Sequence, residues 1–209
     1  MARNSRHPLT RDEPRWRPTA QYTAAQLPPR LRPWLLDDGS LTRHLVRLGG
    51  GDFRVQRLRQ LWQMPLPSEA RLLEVPERQR ALVREVCLVV GGRRVVFARS
   101  VFPASSLTGE LAHLRHLRNR SLGAILFRHP GMHRSPFELA LVPGCSPYLP
   151  AELQQEMPAW GRRSRFTIGG RHLLVSEVFL QGFRPWPCIL PVHRYQRGRV
   201  SAAIRPPNR

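Results

Sequence analysis

A single carboxylate interrupts an apolar run near the end of the sequence. Glu177 lies in LLVSEVFL, residues 173–180, where every other residue except Ser176 is apolar. Successive side chains of a strand point to opposite faces, so this run would be apolar on both. An ionised carboxylate in such a place is unfavourable unless another group pairs with it. We therefore expect Glu177 to have a specific partner.

Two arginines raise the same question in an earlier hairpin. Arg84 lies in ALVREVCLVV and Arg99 in RRVVFARSVF, each with apolar residues two positions away on either side. Gly91 and Gly92 predict a tight turn between the two runs. A two-residue turn places Arg84 directly opposite Arg99, which is destabilising unless an anion lies between the two charges. A four-residue loop would keep both on one face, a three-residue loop would separate them, and either side chain could extend to the sheet margin.

Two serine–leucine pairs have the sequence of a helix start. Ser40–Leu41 and Ser121–Leu122 each place a favoured N-cap residue before a helical pattern. The first N–H groups of a helix have no intrahelical partner and carry partial positive charge, which favours anions. Alone, each serine is an ordinary cap that serves its own helix. Together with the arginine pair, Leu41 and Leu122 become candidate ligand contacts.

Other reactive groups lack the spacing that a catalytic or metal site requires. Cys87, Cys145 and Cys188 are odd in number and far apart, which favours neither a disulfide framework nor a zinc site. His113 and His116 are three residues apart on a predicted helix, with no obvious third ligand. The sequence has no P-loop, dinucleotide fingerprint or nucleophile elbow. We therefore expect no metal and no organic cofactor.

The chain is strongly basic, with a formal net charge of +20. Such a charge is often found in nucleic-acid-binding proteins. All 34 basic residues are arginines, however, and they are spread from end to end, which indicates a coding bias rather than a phosphate-binding surface. The dense cluster WGRRSR, residues 160–165, is interpreted as the solvated start of a strand. We therefore expect no specific nucleic-acid partner. We also expect no stable membrane insertion, because no stretch approaches the roughly 18–20 apolar residues of a membrane span.

Helix and strand patterns alternate through the middle of the chain. About six strands joined mostly by hairpins, with helices between them, predict an α+β fold on an antiparallel sheet. Residues 26–182 would form the domain. Residues 1–25 and the Pro-rich residues 183–209 show no apolar period, so we expect a disordered N-terminal tail and a basic C-terminal tail.

The chain resembles the chorismate pyruvate-lyases, which make 4-hydroxybenzoate for ubiquinone biosynthesis. The resemblance covers about residues 28–182 and is most specific in WGRRS and in residues 174–177. Other similar stretches, in the family's order, are PWLLDDGSLTRHL, ALVREVCLVV, ARSVFPASSLTGEL and SLGAILF. The resemblance implies a six-stranded antiparallel sheet with helical flaps that close over an internal site for an aromatic acid.

The resemblance also assigns roles to residues of this sequence. It implies that Arg84 holds the ring carboxylate, that Glu177 meets the ring hydroxyl and that the backbone N–H of Leu122 contacts the ligand. Arg99 would handle the enolpyruvyl carboxylate. Leu41 stands where the family has a methionine, a difference that a contact through the backbone N–H would survive.

The implied reaction is the elimination of pyruvate from chorismate, driven by aromatisation. Either the ligand transfers its own C4 hydrogen while Glu177 orients the hydroxyl and Arg84 and Arg99 stabilise charge, or Glu177 acts as a general base. The alternative function is a non-catalytic sensor of small aromatic acids, since the same fold serves as the effector domain of some bacterial regulators. Those regulators carry a DNA-binding domain ahead of it, whereas about 25 irregular residues precede the domain here. We expect a cytoplasmic monomer that binds chorismate and is inhibited by its product.

Overall fold

The structure, a computed structural model, describes residues 13–76 and 78–184 and the backbone of residues 192–194 and 200–202. Within these residues, eight strands form one antiparallel sheet. They are β1 (Arg17–Pro18), β2 (Phe53–Gln63), β3 (Ala81–Val90), β4 (Arg93–Pro103), β5 (His133–Arg134), β6 (Glu138–Val142), β7 (Ala159–Ile168) and β8 (Arg171–Phe179). Two further strands, β9 (Val192–Arg194) and β10 (Val200–Ala202), pair with each other.

The sheet has the order β1–β6–β7–β8–β4–β3–β2, and β5 pairs with β7. The predicted α+β class and the antiparallel sheet are confirmed, whereas the predicted number of six strands is wrong. The six long strands are the ones that the sequence indicated. The other two, β1 and β5, have two residues each, too few to show an alternating pattern.

Short helices connect the strands. The α-helices of the described residues are α1 (Arg32–Leu36), α2 (Leu41–Leu48), α3 (Pro67–Leu73) and α4 (Leu122–Leu126). Turns of 3₁₀ helix cover Thr19–Gln21, Ala24–Gln26, Ala104–Ser106, Gly109–His116 and Ala151–Leu153. The predicted caps are confirmed, because the Ser40 and Ser121 hydroxyls accept hydrogen bonds from the N–H groups of Arg43 and Ala124.

The sheet has a different covering on each face. On the front face, Trp34 of α1 and Leu45 of α2 pack in one buried cluster with Val86 of β3. Leu122 of α4 packs in a second buried cluster with Leu82 of β3. On the back face, α3 packs through Leu73 against Val83, Val101 and Leu174. A site closed by α2 and α4 therefore has to lie on the front face.

A β-bulge in β4 changes the predicted pairing of the first hairpin. Val90 pairs with Arg93 around Gly91 and Gly92, which confirms the two-residue turn. The register then slips by one residue, because Leu88 pairs with Val96 and Val89 with Arg94. A bulge adds one residue to one strand and reverses the faces beyond it.

The predicted pairing of Arg84 with Arg99 is therefore wrong. Arg84 pairs with Ser100, and Arg99 pairs with Glu85. The two arginines lie on opposite faces of the sheet.

The N-terminal segment differs from the predicted tail where the structure describes it. Arg17 and Pro18 pair with β6, and the Tyr22 hydroxyl donates to the carbonyl of Leu139 at 3.1 Å. Residues 13–25 thus contact the domain, and residues 1–12 lie outside the described residues. Most of the predicted C-terminal tail also lies outside them. No helix in the described part of the chain is long and apolar enough to cross a membrane.

Candidate functional site

The front face holds a cavity that opens to solvent, and its empty space, including the solvent at the mouth, is about 540 Å³. Its apolar walls come from the sheet and from α4, and include Val86, Ala98, Val175, Leu126 and Phe166. Its ionisable lining groups are Arg84, Arg134, Arg162 and Glu177. Three guanidinium groups and one carboxylate give the cavity a formal charge of +2.

Glu177 meets Arg162, which lies directly opposite it on β7. Arg162 Nε donates to Glu177 Oε2 at 2.7 Å. Arg162 Nη1 donates to the carbonyls of Trp34 and Asp37, at 2.6 and 2.7 Å, and so ties α1 to the sheet. Arg162 is 1% exposed, and its Nη2 is buried without a hydrogen-bond partner. The ion pair explains how the carboxylate tolerates an apolar strand.

Arg84 lies on the front face of β3 and is 2% exposed. Its Nη2 donates to the carbonyls of Arg118 and Arg120, at 3.0 and 2.9 Å, in the segment that leads into α4. Its Nε is buried without a partner. Burial, assisted by the charge of Arg57, lowers the pKa of Arg84 to about 10. The cation remains protonated at neutral pH, and an anion in the cavity would relieve the unfavourable burial.

Arg134, from β5, supplies the third cation. Its Nε donates to the Ser164 hydroxyl at 2.7 Å, and its guanidinium carbon lies 3.9 Å from the centroid of the Phe137 ring. Burial, assisted by the nearby charge of Arg162, lowers the pKa of Arg134 to about 9, although the charges of Glu177, Asp37 and Asp38 oppose the shift. Two guanidinium groups thus share one corner of the cavity with only Glu177 among the lining carboxylates.

The two predicted helix starts meet at this cavity. Leu41 and Leu122, the first residues of α2 and α4, both line it. The Thr42 and Ser121 hydroxyls are 2.8 Å apart and join the two helices. The structure therefore brings together four of the five residues singled out from the sequence, namely Arg84, Glu177, Leu41 and Leu122.

The fifth residue, Arg99, does not line the cavity. It is buried on the back face, where its Nε and Nη2 donate to Glu69 at 2.7 and 3.1 Å and its Nη1 donates to Glu85 at 2.6 Å. Burial alone would lower the pKa of Arg99, but the charge and hydrogen bonds of Glu69 raise it above its usual value. The assignment of Arg99 to the enolpyruvyl carboxylate is corrected, because the β4 bulge turns its side chain away from the site.

Arg162 and Arg134 were not among the site residues predicted from the sequence. Arg162 belongs to the cluster interpreted as a solvated strand start, although a two-residue turn at Gly169–Gly170 pairs it with Glu177 by simple counting. That turn is present, with Ile168 opposite Arg171. Arg134 lies in a two-residue strand without periodicity, so no local pattern indicated it.

The arrangement suits a small aromatic anion. The apolar walls accommodate a ring, the cations face an acidic group, and Glu177 Oε1 is available to a hydroxyl because Arg162 Nε binds Oε2. Among the described residues, no group of three histidine, cysteine or acidic side chains is close enough to hold a metal ion.

Known sequences resemble this chain over most of its length. A family model described as chorismate lyase matches residues 12–186. A probable chorismate pyruvate-lyase of Methylococcus capsulatus is 46% identical over 152 residues, covering 72% of this chain and 94% of that protein. Another from Hydrogenovibrio crunogenus is 35% identical over 183 residues, covering 87% of this chain and 98% of that protein.

One solved structure shares the fold at low sequence identity. The effector domain of PhnF from Mycobacterium smegmatis matches with a TM-score of 0.50 and 16% identity, over 68% of this chain and 89% of that domain. At such identity the similarity concerns the fold alone.

Proposed function

Because the chain belongs to the chorismate lyase family, we propose that it removes pyruvate from chorismate and releases 4-hydroxybenzoate. The observation that carries the proposal is that Arg84 and Glu177 line one cavity whose walls are mostly apolar. A cation and a hydrogen-bond acceptor in this relation match the two ends of a para-substituted ring. A sensor that binds a ligand with one acidic group would not require the additional cations, Arg134 and Arg162, beside Glu177.

The strand registers set the span between these two groups. Glu177 pairs with Ala98, Ala98 pairs with Val86, and Arg84 lies two residues from Val86 on β3. Two interstrand steps and one two-residue step separate the Cα atoms of Arg84 and Glu177 by about 12 Å. Both side chains lie on the same face of the sheet, so a ring with a polar group at each end can lie between the guanidinium and the carboxylate.

In the proposed complex, the ring carboxylate accepts hydrogen bonds from Arg84. The unpartnered Nε of Arg84 is the donor in place for it. The backbone N–H groups at the starts of α2 and α4, at Leu41 and Leu122, face the same ligand. Glu177 Oε1 accepts the hydrogen bond of the C4 hydroxyl and fixes the ring in one orientation.

The elimination breaks the C3–O bond to the enolpyruvyl group and removes the hydrogen from C4. The enolpyruvyl methylene gains a hydrogen and becomes the methyl group of pyruvate, while the ring becomes aromatic. Among the residues that line the cavity there is no histidine, cysteine or tyrosine to act as an acid toward the methylene. This composition favours transfer of the C4 hydrogen within the ligand, with the protein holding the reactive conformer.

Incubation of the purified chain with chorismate tests the proposal. We expect 4-hydroxybenzoate and pyruvate to form in equal amounts, well above the rate of chorismate alone in buffer. Chromatography quantifies the first product, and a coupled dehydrogenase assay quantifies the second. Binding of 4-hydroxybenzoate without any turnover of chorismate would instead support the sensor alternative.

A further inference from the structure

One corner of the cavity holds more positive charge than the proposed ring contacts use. Arg134 and Arg162 both lie against the Phe137 ring, with guanidinium carbons 3.9 and 4.7 Å from its centroid. Aromatic faces attract cations but do not neutralise them. Glu177 is the carboxylate that lines this part of the cavity, and it is bonded to Arg162. The charges of Asp37 and Asp38 also act on Arg134, but neither side chain lines the cavity. The lining of this corner therefore carries an excess positive charge.

The hydrogen bonds of Arg162 show which donor is available. Its Nε binds Glu177, and its Nη1 binds two backbone carbonyls. The third nitrogen, Nη2, is buried without a partner in a side chain that lines the cavity. A buried donor on a charged group is unfavourable unless a ligand or a water accepts its hydrogen bond.

The chemistry of the substrate places its second acid beside this donor. The enolpyruvyl ether is on C3, next to the C4 that carries the hydroxyl, so its carboxylate has to lie close to Glu177. Resting on the function proposed above, we infer that Arg134 and Arg162 form a separate subsite for the three-carbon carboxylate, first as the enolpyruvyl group and then as pyruvate. Arg99, on the opposite face, leaves this role to them.

The charge balance agrees with two separate subsites. The cavity carries a formal charge of +2 from its lining groups. Chorismate, a dianion, neutralises it, whereas 4-hydroxybenzoate, a monoanion, leaves the excess at Arg134 and Arg162. Pyruvate and 4-hydroxybenzoate together contain the atoms of chorismate, so a cavity that binds chorismate can hold both products at the same time.

This subsite has a consequence for inhibition. Pyruvate should compete with chorismate but not with 4-hydroxybenzoate, because the two products occupy different corners. If pyruvate bound at Arg84, it would displace 4-hydroxybenzoate instead. Binding of 4-hydroxybenzoate in the presence of millimolar pyruvate distinguishes the two cases without any turnover.

Calorimetric titration of the unmodified chain with 4-hydroxybenzoate, with and without pyruvate, is the first measurement. We expect the Kd of 4-hydroxybenzoate to change by less than about twofold, while pyruvate inhibits chorismate turnover competitively. A Kd that rises in proportion to the pyruvate concentration would overturn the separate subsite. So would turnover that pyruvate leaves unaffected.

Substitution of Arg134 is the second measurement. In Arg134→Gln we expect the KM for chorismate and the inhibition constant of pyruvate to rise by at least about tenfold, as for the loss of a charge-assisted contact. The Kd of 4-hydroxybenzoate should stay within about threefold. Arg134→Lys, which keeps the charge, should recover part of the loss. Arg128→Gln, at an exposed arginine, is the matched control.

The outcomes separate this inference from the proposed function. If Arg134→Gln still converts chorismate but loses affinity for chorismate and for 4-hydroxybenzoate to the same extent, the separate subsite is wrong and the proposed function still holds. An unmodified chain that neither converts chorismate nor binds 4-hydroxybenzoate would overturn the proposed function and the subsite together. If Arg134→Gln fails to fold, the pyruvate titration of the unmodified chain still decides.

Discussion

Arg162 and Glu177 are directly opposite each other on β7 and β8, and their side chains form an ion pair of 2.7 Å at the floor of the cavity. The pair joins three features of the molecule. It stabilises a carboxylate on an otherwise apolar strand, it fixes α1 through two carbonyls, and it leaves Glu177 Oε1 for a ligand. Structure and proposed chemistry therefore depend on the same two side chains.

Glu177→Gln should reduce activity more than stability. The amide oxygen can still accept from Arg162, so we expect the melting temperature to fall by only a few degrees. Loss of the charged acceptor for the C4 hydroxyl should lower kcat/KM by about 30-fold or more, in line with charge-assisted hydrogen bonds. Glu110→Gln, at a half-exposed carboxylate outside the cavity, is the control. A Glu177→Gln enzyme with unchanged kcat/KM would show that Glu177 is only the partner of Arg162.

Arg84→Met should weaken substrate and product alike. The substitution keeps much of the apolar stem but removes the donor for the ring carboxylate, a loss of roughly 2–5 kcal/mol. We expect the KM for chorismate and the Kd of 4-hydroxybenzoate both to rise by about 30-fold or more. Arg54→Met, at an exposed position of β2, is the matched control. Kinetics equal to those of the control would mean that Arg84 serves only the carbonyls of Arg118 and Arg120.

Much of this site was accessible from sequence because it depends on short-range patterns. Gly169–Gly170 fixes the register that brings Arg162 to Glu177, and Ser40 and Ser121 mark two helix starts. The bulge in β4 was not accessible, since an extra residue among β-branched neighbours leaves no local signal. That single residue moved Arg99 to the back face. Arg134 depends on tertiary packing of a two-residue strand, which periodicity cannot reveal.

Turnover in D2O should show the origin of the new methyl hydrogen. If the C4 hydrogen moves within the ligand, pyruvate collected early in the reaction carries no deuterium in its methyl group. Nuclear magnetic resonance of the pyruvate methyl signal provides the measurement. One deuterium per methyl group would indicate that a solvent-exchangeable acid protonates the methylene, and Glu177 would then become the leading candidate for general acid–base catalysis.

Product release should be slower than the elimination. Arg84 binds the ring carboxylate in the proposed complex and also holds the carbonyls of Arg118 and Arg120 ahead of α4. Opening of this segment and departure of 4-hydroxybenzoate are therefore coupled. With excess chorismate, rapid mixing should reveal a burst close to one equivalent of 4-hydroxybenzoate per chain. A linear time course from the first turnover would place the slow step at or before elimination.

The orientation of bound 4-hydroxybenzoate tests the central claim most directly. A crystal structure of the complex should show the ring carboxylate on Arg84 Nε, the hydroxyl on Glu177 Oε1 and the ring between Val86 and Phe166. The corner at Arg134 and Arg162 should hold water or a small anion rather than the product. A carboxylate bound at Arg134 and Arg162, with the hydroxyl toward Arg84, would contradict the proposed arrangement.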